Sequence, residues 1–479
     1  MKLRRTLVSI SAISLLSITF ACSQSVSETQ TGEGRAAAQS DVGRPSESED
    51  QSERKPDDPP QATAPVSTAD SKQDAADVTE VAQNTPPPRS TADERSPKKS
   101  GESFDWPCWR GPHADNTSRE KNLVRRFSDD GPAVLWRKQL GTGFSGMSIS
   151  GDRLFTMFGD GDREYAAGFN TRAGSQLWKI DIDKDFAQGR SFGPRATPYV
   201  DGNRVYFVGA SGRVLCLTAA TGKELWSLNV YDKFEMRRFV HEEGLSPSPL
   251  IDRDSLIVQA GISVFALDKM NGEVIWRSLE ERMNHSSPTL AQLDGKRQLI
   301  VLTGENLVGL SPTDGREQWR QPQRGVNCAS PVIGPKNCVF TAAAYGFGSQ
   351  LTQITNGSVQ QVYKNNSLAT HHATAVLHEG YLYGFHDRTG ILKCVEFATG
   401  EEKWVSRSPG KGKLIIADGQ LIIIAEWGAL VLAPATPDGF QPTEPARLLK
   451  GTCYTAPSLA NGKLYLRSNE EMVCLDFKR

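Results

Sequence analysis

Two neighbouring histidines, His371-His372, with His386 not far beyond them, are the residues whose type best suits bound-metal chemistry. Neighbouring side chains on a strand point to opposite faces, so at most one of the pair can face a given site, and no metal is expected. Asp160-Gly161-Asp162-Arg163-Glu164 alternates carboxylates on a loop, a fragment of a calcium pattern. It lacks the later bidentate glutamate and reads as a solvated turn. The eight cysteines include no adjacent pair, and no spacing among them suits structural zinc. There is no Ser-His-Asp spacing, no G-x-S-x-G elbow and no phosphate-binding loop with its lysine. No residue is therefore expected to be catalytic.

The elements that would have to position any site are repeats. Gly212 to Trp226, GRVLCLTAATGKELW, reads as a strand, a tight two-residue Thr-Gly turn and a second strand. Gly222 would take the positive φ that such a turn needs. Copies end at Trp178, Trp276, Trp319 and Trp404, and a worn one at Tyr363. The interval, about 40–50 residues, is that of four-stranded propeller blades. A second element precedes each copy, with Pro198, Pro249, Pro288, Pro331 and Pro457 opening a short strand, where a missing N–H is tolerated. Inner strands near Met147, Thr197, Ser248, Ser287, Ser330, Thr374, Leu414 and Ala456 count eight blades, with seven as the alternative. The seventh is degenerate, running through APATPDGFQPTEP before an outer strand near Arg447.

Ala133-Val134-Leu135-Trp136 carries the blade-ending Trp with no blade before it, and the last segment supplies only three strands from Tyr454 to Arg479. Pairing the two closes the ring and removes exposed edges. The expectation is an all-β, eight-bladed propeller over 133–479, closed by its first and last strands. Arg195, His285, Asn327, His371 and Tyr454 stand just before inner strands and would ring one mouth of the channel. They either bind a ligand or partner there or satisfy backbone groups where strands converge. Cys216, Cys394 and Cys474 occupy the same place in three copies and are expected in the core. Cys328 and Cys338 fall on one hairpin but not opposite each other, and Cys108 and Cys453 have no evident partner.

The unit [AL]-x-[DS]-x-x-[TN]-G-x-x-x-W resembles the repeat of pyrroloquinoline-quinone (PQQ) type propellers, from Ala133 to the C-terminus. That superfamily includes quinoprotein dehydrogenases and the propeller lipoprotein of the outer-membrane β-barrel assembly machinery. WRGP, FGPRATP and CYTAP further resemble a group of exported PQQ-like repeat proteins. The resemblance implies that Trp178, Trp226, Trp276, Trp319 and Trp404 pack between blades. In the dehydrogenases it implies a quinone between a Trp and a disulfide of adjacent cysteines, with calcium held by Glu and Asn and an Asp as base. This chain lacks the adjacent cysteines, and no matching Asp-Glu-Asn set is legible, so no cofactor is expected.

Residues 1–22 read as an export signal, with Lys2, Arg4 and Arg5 before a short apolar run. Thr19-Phe20-Ala21-Cys22 resembles a bacterial lipobox, departing from it at Thr19 and Phe20, and implies lipidation of Cys22. Ordinary cleavage after Ala21 is the competing reading. Residues 23–104, rich in Ser, Glu, Asp, Gln, Pro and Ala, cannot offset the entropy of ordering and are expected to form a disordered tether. Residues 105–132, opening DWPCWRGP, are expected to pack on the propeller as a lead-in. The net charge of −1 argues for no nucleic-acid partner. The functional expectation is a non-enzymatic binding or assembly scaffold. It would be anchored in the periplasm or outer envelope and partnered by envelope proteins. A quinone-dependent dehydrogenase is the alternative.

Overall fold

A computed structural model describes residues 103–184, 186–188, 191–237, 244–326, 328–386 and 389–479. The expected export signal, Cys22 and the expected tether up to residue 102 lie outside them, as does Asn327. Among the described residues, seven four-stranded sheets and one five-stranded sheet follow one another as eight blades. Blade two shows the pattern: Tyr199–Asp201, Arg204–Val208, Arg213–Thr218 and Glu224–Asn229 pair as an antiparallel meander. Blade seven is complete, its outer strand being the two residues Ala446–Arg447.

The Thr-Gly turn is longer than the two residues expected. Gly222 has the anticipated positive φ of 70°, but the Thr218 N–H donates to Lys223 O at 2.8 Å and the register then shifts between Cys216 and Leu217. The same bulge recurs beside the turns at Ala266/Leu267, Gly309/Leu310 and Cys394/Val395. A bulge adds local twist, which each small sheet needs to splay outward from the axis.

This register sets a small residue opposite each blade-ending indole. Cys216 faces Trp226, Cys394 faces Trp404 and Cys474 faces Trp136, while Gly168, Ala266 and Gly309 face Trp178, Trp276 and Trp319. A Cβ on Gly309 would lie 2.3 Å from the Trp319 ring. The ring therefore lies down over its partner and reaches the next blade. Trp136 Nε1 donates to Thr171 O (3.0 Å), Trp178 to Ala219 O (3.2 Å), Trp226 to Lys269 O (3.1 Å), Trp276 to Pro312 O (3.1 Å) and Trp404 to Thr436 O (2.8 Å). The worn copy does the same through Tyr363 Oη and Phe397 O at 3.1 Å. Trp319 departs from the rule and donates to Gln298 Oε1 within its own blade. The tryptophans are inter-blade fasteners, as the resemblance implied.

Ring closure is as the sequence implies. Val134–Gln139 pairs antiparallel with Glu471–Asp476, completing blade eight, and Trp136 lies opposite Cys474. Arg467 adds a second clasp between blades eight and one. Only 1% exposed, it donates to Ser145 O, Thr156 Oγ1 and Met157 O through Nη1 and to Gly143 O through Nη2, all at 2.9–3.0 Å.

The lead-in goes further than surface packing. It begins on the face where inner strands end: Phe104 N–H donates to Asn461, and Asp105 accepts from Ser150 and Gly151. Trp106 and Ile149 exchange both backbone bonds, at 3.0 and 2.8 Å, and Val200 N–H donates to Pro107 O. Across the channel, Trp109 Nε1 donates to Ser330 Oγ at 3.4 Å and Arg110 Nη1 to Pro331 O at 3.0 Å. Thr117–Ser118 then leaves as a parallel strand beside Ile416–Ala417 of blade seven. The segment thus touches inner strands of blades one, two, five and seven and plugs the axis. Arg110 is 4% exposed, a depth at which a guanidinium persists only with acceptors such as that carbonyl.

Candidate functional site

Inner strands begin beside the axis, and their hydroxyls join them. The Thr197 N–H donates to Ser248 Oγ (2.9 Å), Ser248 N–H to Ser287 Oγ (2.9 Å), Ser287 N–H to Ser330 Oγ (3.2 Å) and Ser330 N–H to Thr374 Oγ1 (3.0 Å). This belt runs from blade two to blade six and satisfies donors that converging strands would otherwise leave unpaired. Blades seven and eight carry Lys413 and Ala456 at the equivalent places, so the hydroxyl belt breaks there. Lys413 fills the gap by donating from Nζ to the His372 carbonyl.

At that break the chemistry-bearing side chains of the mouth collect. The rings of His371 and His372 lie 3.7 Å apart between centroids. Tyr345 meets His371 edge-on at 5.1 Å, and Tyr454 stands 6.0 Å from His372 and 5.1 Å from Phe144. Tyr454 Oη donates to Glu426 Oε1 at 3.0 Å, and Lys411 lies 3.9 Å from the other carboxylate oxygen. Cys328, half-buried, brings its thiol to the histidine pair, so that a donor atom from each of the three lies within 4.8 Å of the others.

The electrostatics follow from crowding cations at a half-closed mouth. Burial pushes the Lys413 ammonium down to about 8, opposed by Cys328 and Glu426. His372 is exposed at the mouth, but withdrawal of part of its surface from water, then Lys413, His371, His285 and Lys411, hold its imidazole far below the ordinary range. Burial, and then Glu426, push the Tyr454 phenol up to about 12, so it stays a hydrogen-bond donor.

Of the five mouth residues expected from sequence, the structure brings His371 and Tyr454 into this cluster, and His285 close enough to bias His372. Arg195 is held elsewhere, donating to Gly193 O at 3.0 Å with its guanidinium 5.6 Å from the Phe186 ring. Asn327 lies outside the described residues. The argument that His371 and His372 must diverge fails, because the inner strand of blade six starts only at Val376. Residues 371–375 are irregular, and alternation does not govern them. His386 does not join the pair: its Nδ1 accepts from the Ala369 N–H at 3.1 Å. Sequence reasoning also missed Cys328 and Lys413, whose only signal was their nearness to inner-strand starts, and Glu426, which stands in the connection between the second and third strands of blade seven.

Asp160–Arg163 forms the expected exposed turn, with Arg163 paired to Asp181, but Glu164 is fully buried and accepts from the Phe186 and Ala210 N–H groups at 3.4 and 3.3 Å. Seven described cysteines are all thiols, Cys328 and Cys338 among them.

Fold and plugged channel together define a closed, eight-bladed propeller of the PQQ-like class. Residues 162–406, more than half of the chain, match the family model described as outer membrane protein assembly factor BamB, and the chain belongs to that family. No curated protein matches it by sequence. Among solved structures, BamB from Moraxella catarrhalis aligns at 16% identity and a TM-score of 0.53, over 72% of this chain and 97% of that one. Quinohemoprotein alcohol dehydrogenase from Comamonas testosteroni aligns at 12% identity and 0.61, over 78% and 80%. The computationally designed Ika8 protein aligns at 12% and 0.55, over 72% and 100%. At these identities the likeness is one of fold.

Proposed function

We propose that this protein is a non-enzymatic docking scaffold of the cell envelope, exported and tethered through a lipidated Cys22. One observation carries the reading. In an antiparallel meander, the connection between second and third strands lies on the same face as the start of the inner strand. Tyr345 and Phe347 sit in that connection in blade five, Trp427 in blade seven, and Tyr454 precedes the inner strand of blade eight. They are 50%, 42%, 42% and 38% exposed. Aromatics standing in water around a polar centre are the composition of protein-binding surfaces. Membership of the BamB family supports an assembly role and an envelope location.

A quinone finds less support. The adjacent cysteines of the dehydrogenase platform are absent from the sequence, and Trp109 and Arg110 occupy the axis of the funnel. Tagged full-length protein drawn from solubilised envelopes should bring specific partners, and Tyr345→Ser with Phe347→Ser should lose them while melting unchanged. A saturable spectral change on adding PQQ, with dye reduction by alcohols, would overturn the scaffold reading. For the anchor, Cys22→Ala should move the protein out of the membrane fraction; unchanged fractionation removes that part of the proposal.

A further inference from the structure

We propose that Cys328, His371 and His372 bind one soft transition-metal cation at the channel mouth, Cu(I) in preference to Zn(II), with the remaining coordination position open to the lumen. The site does not depend on the scaffold reading. A thiolate and two imidazoles are the ligands that copper and zinc select over calcium or magnesium.

All three donor atoms already lie within 4.8 Å of one another. Around one ion, with bonds of about 2.0–2.3 Å, they would stand roughly 3.3–3.7 Å apart, so closing the site asks for about an ångström of side-chain movement. Neither the cysteine nor the histidines lie within a strand: Cys328 precedes the strand Val332–Gly334, and the histidines stand between the bridge residue Thr370 and the strand Val376–His378 in the next blade. The donors thus come from two neighbouring blades at the point where the hydroxyl belt ends.

The surroundings would orient the ligands. Lys413 fixes the His372 main chain and Tyr345 abuts the His371 ring, the kind of outer partner that holds a ligand's angle. The same lysine chooses among cations, because a buried ammonium bonded to the His372 carbonyl repels a dication more than a monocation. Exposure of His372 leaves the ion reachable from the lumen.

The test uses the full-length chain under anaerobic conditions, titrated with Cu(I) against a chromogenic Cu(I) chelator and separately with Zn(II) against a zinc dye. One equivalent of Cu(I) should bind, and Cys328→Ser or His372→Ala should weaken it by more than about 100-fold, since even outer-shell partners are worth about 10–100-fold. Cys338→Ser and His378→Ala should change nothing. In the unaltered protein, Cu(I) should also protect Cys328 from iodoacetamide, read by peptide mass, which needs no variant to fold. Full affinity in Cys328→Ser, or no protection of Cys328, would overturn the site. Displacement of Cu(I) by equimolar Zn(II) would overturn the choice of metal.

Discussion

A blade-ending indole acts twice, covering a small residue in its own blade and donating to a carbonyl of the next. Trp178 is 7% exposed, lies over Gly168 and holds Ala219 O. Trp178→Ala should therefore cost about 3–5 kcal/mol in denaturant unfolding, as large aromatic truncations do. A cost below about 1 kcal/mol would mean that the interface repacks and that the indole is not its fastener. The converse change tests the covering half of that role in another blade, since Gly309→Ala adds one methyl under Trp319 and should cost about 1–3 kcal/mol through overpacking. The thiols opposite these rings should be inert for a related reason. Burial pushes Cys394 up to about 11 and Cys474 to about 12, so both stay protonated and covered at pH 8. Iodoacetamide at that pH should label half-buried Cys328 in the native protein, and Cys216, Cys394 and Cys474 only after unfolding. Native labelling of Cys394 at the rate of Cys328 would contradict the register.

What the sequence made legible lies at the scale of the strand, and what it hid lies in the connections. The turn-and-Trp units are legible because every blade must meet the next in the same way, so Cys216 and Cys394 recur opposite Trp226 and Trp404. The plug repeats nothing. Trp109 and Arg110 take their partners, Ser330 and Pro331, from more than two hundred residues away, and no local pattern encodes such a pairing. The histidine pair misled for the opposite reason: strand alternation was extended to residues that precede the strand. The plug allows a direct test. Arg110→Ala removes the charged donor to Pro331 O and leaves that buried carbonyl only the long bond from Thr289 Oγ1 at 3.5 Å, at a cost of about 1–3 kcal/mol. Thermal melts of Arg110→Ala and of Arg316→Ala, whose side chain forms an exposed ion pair with Asp314, should differ accordingly, the latter shifting little. Equal melts would show the lead-in to be an ornament on a self-sufficient ring.

A ring has no first blade, so its weakest joint is wherever the chain happens to close. Here that joint is one strand pair, Val134–Gln139 against Glu471–Asp476, together with the Arg467 clasp. Ending the chain after Glu470 would expose Lys463–Arg467 as a new edge and leave Val134–Gln139 without its neighbour. Unpaired edges of this length invite pairing with other chains. It would also open the interface between blades eight and one, on which residues from both blades share a buried cluster that includes Leu140, Leu154, Tyr465 and Val473. The truncated protein should elute as soluble aggregate and lose its single unfolding transition. Arg467→Met is the milder form of the same injury. It removes a charged donor from the Ser145, Met157 and Gly143 carbonyls yet keeps every strand, so it should remain monomeric and cost about 2–5 kcal/mol. If the truncated chain instead ran as a monomer with the parent's melting temperature, closure would not be what keeps the eight blades together.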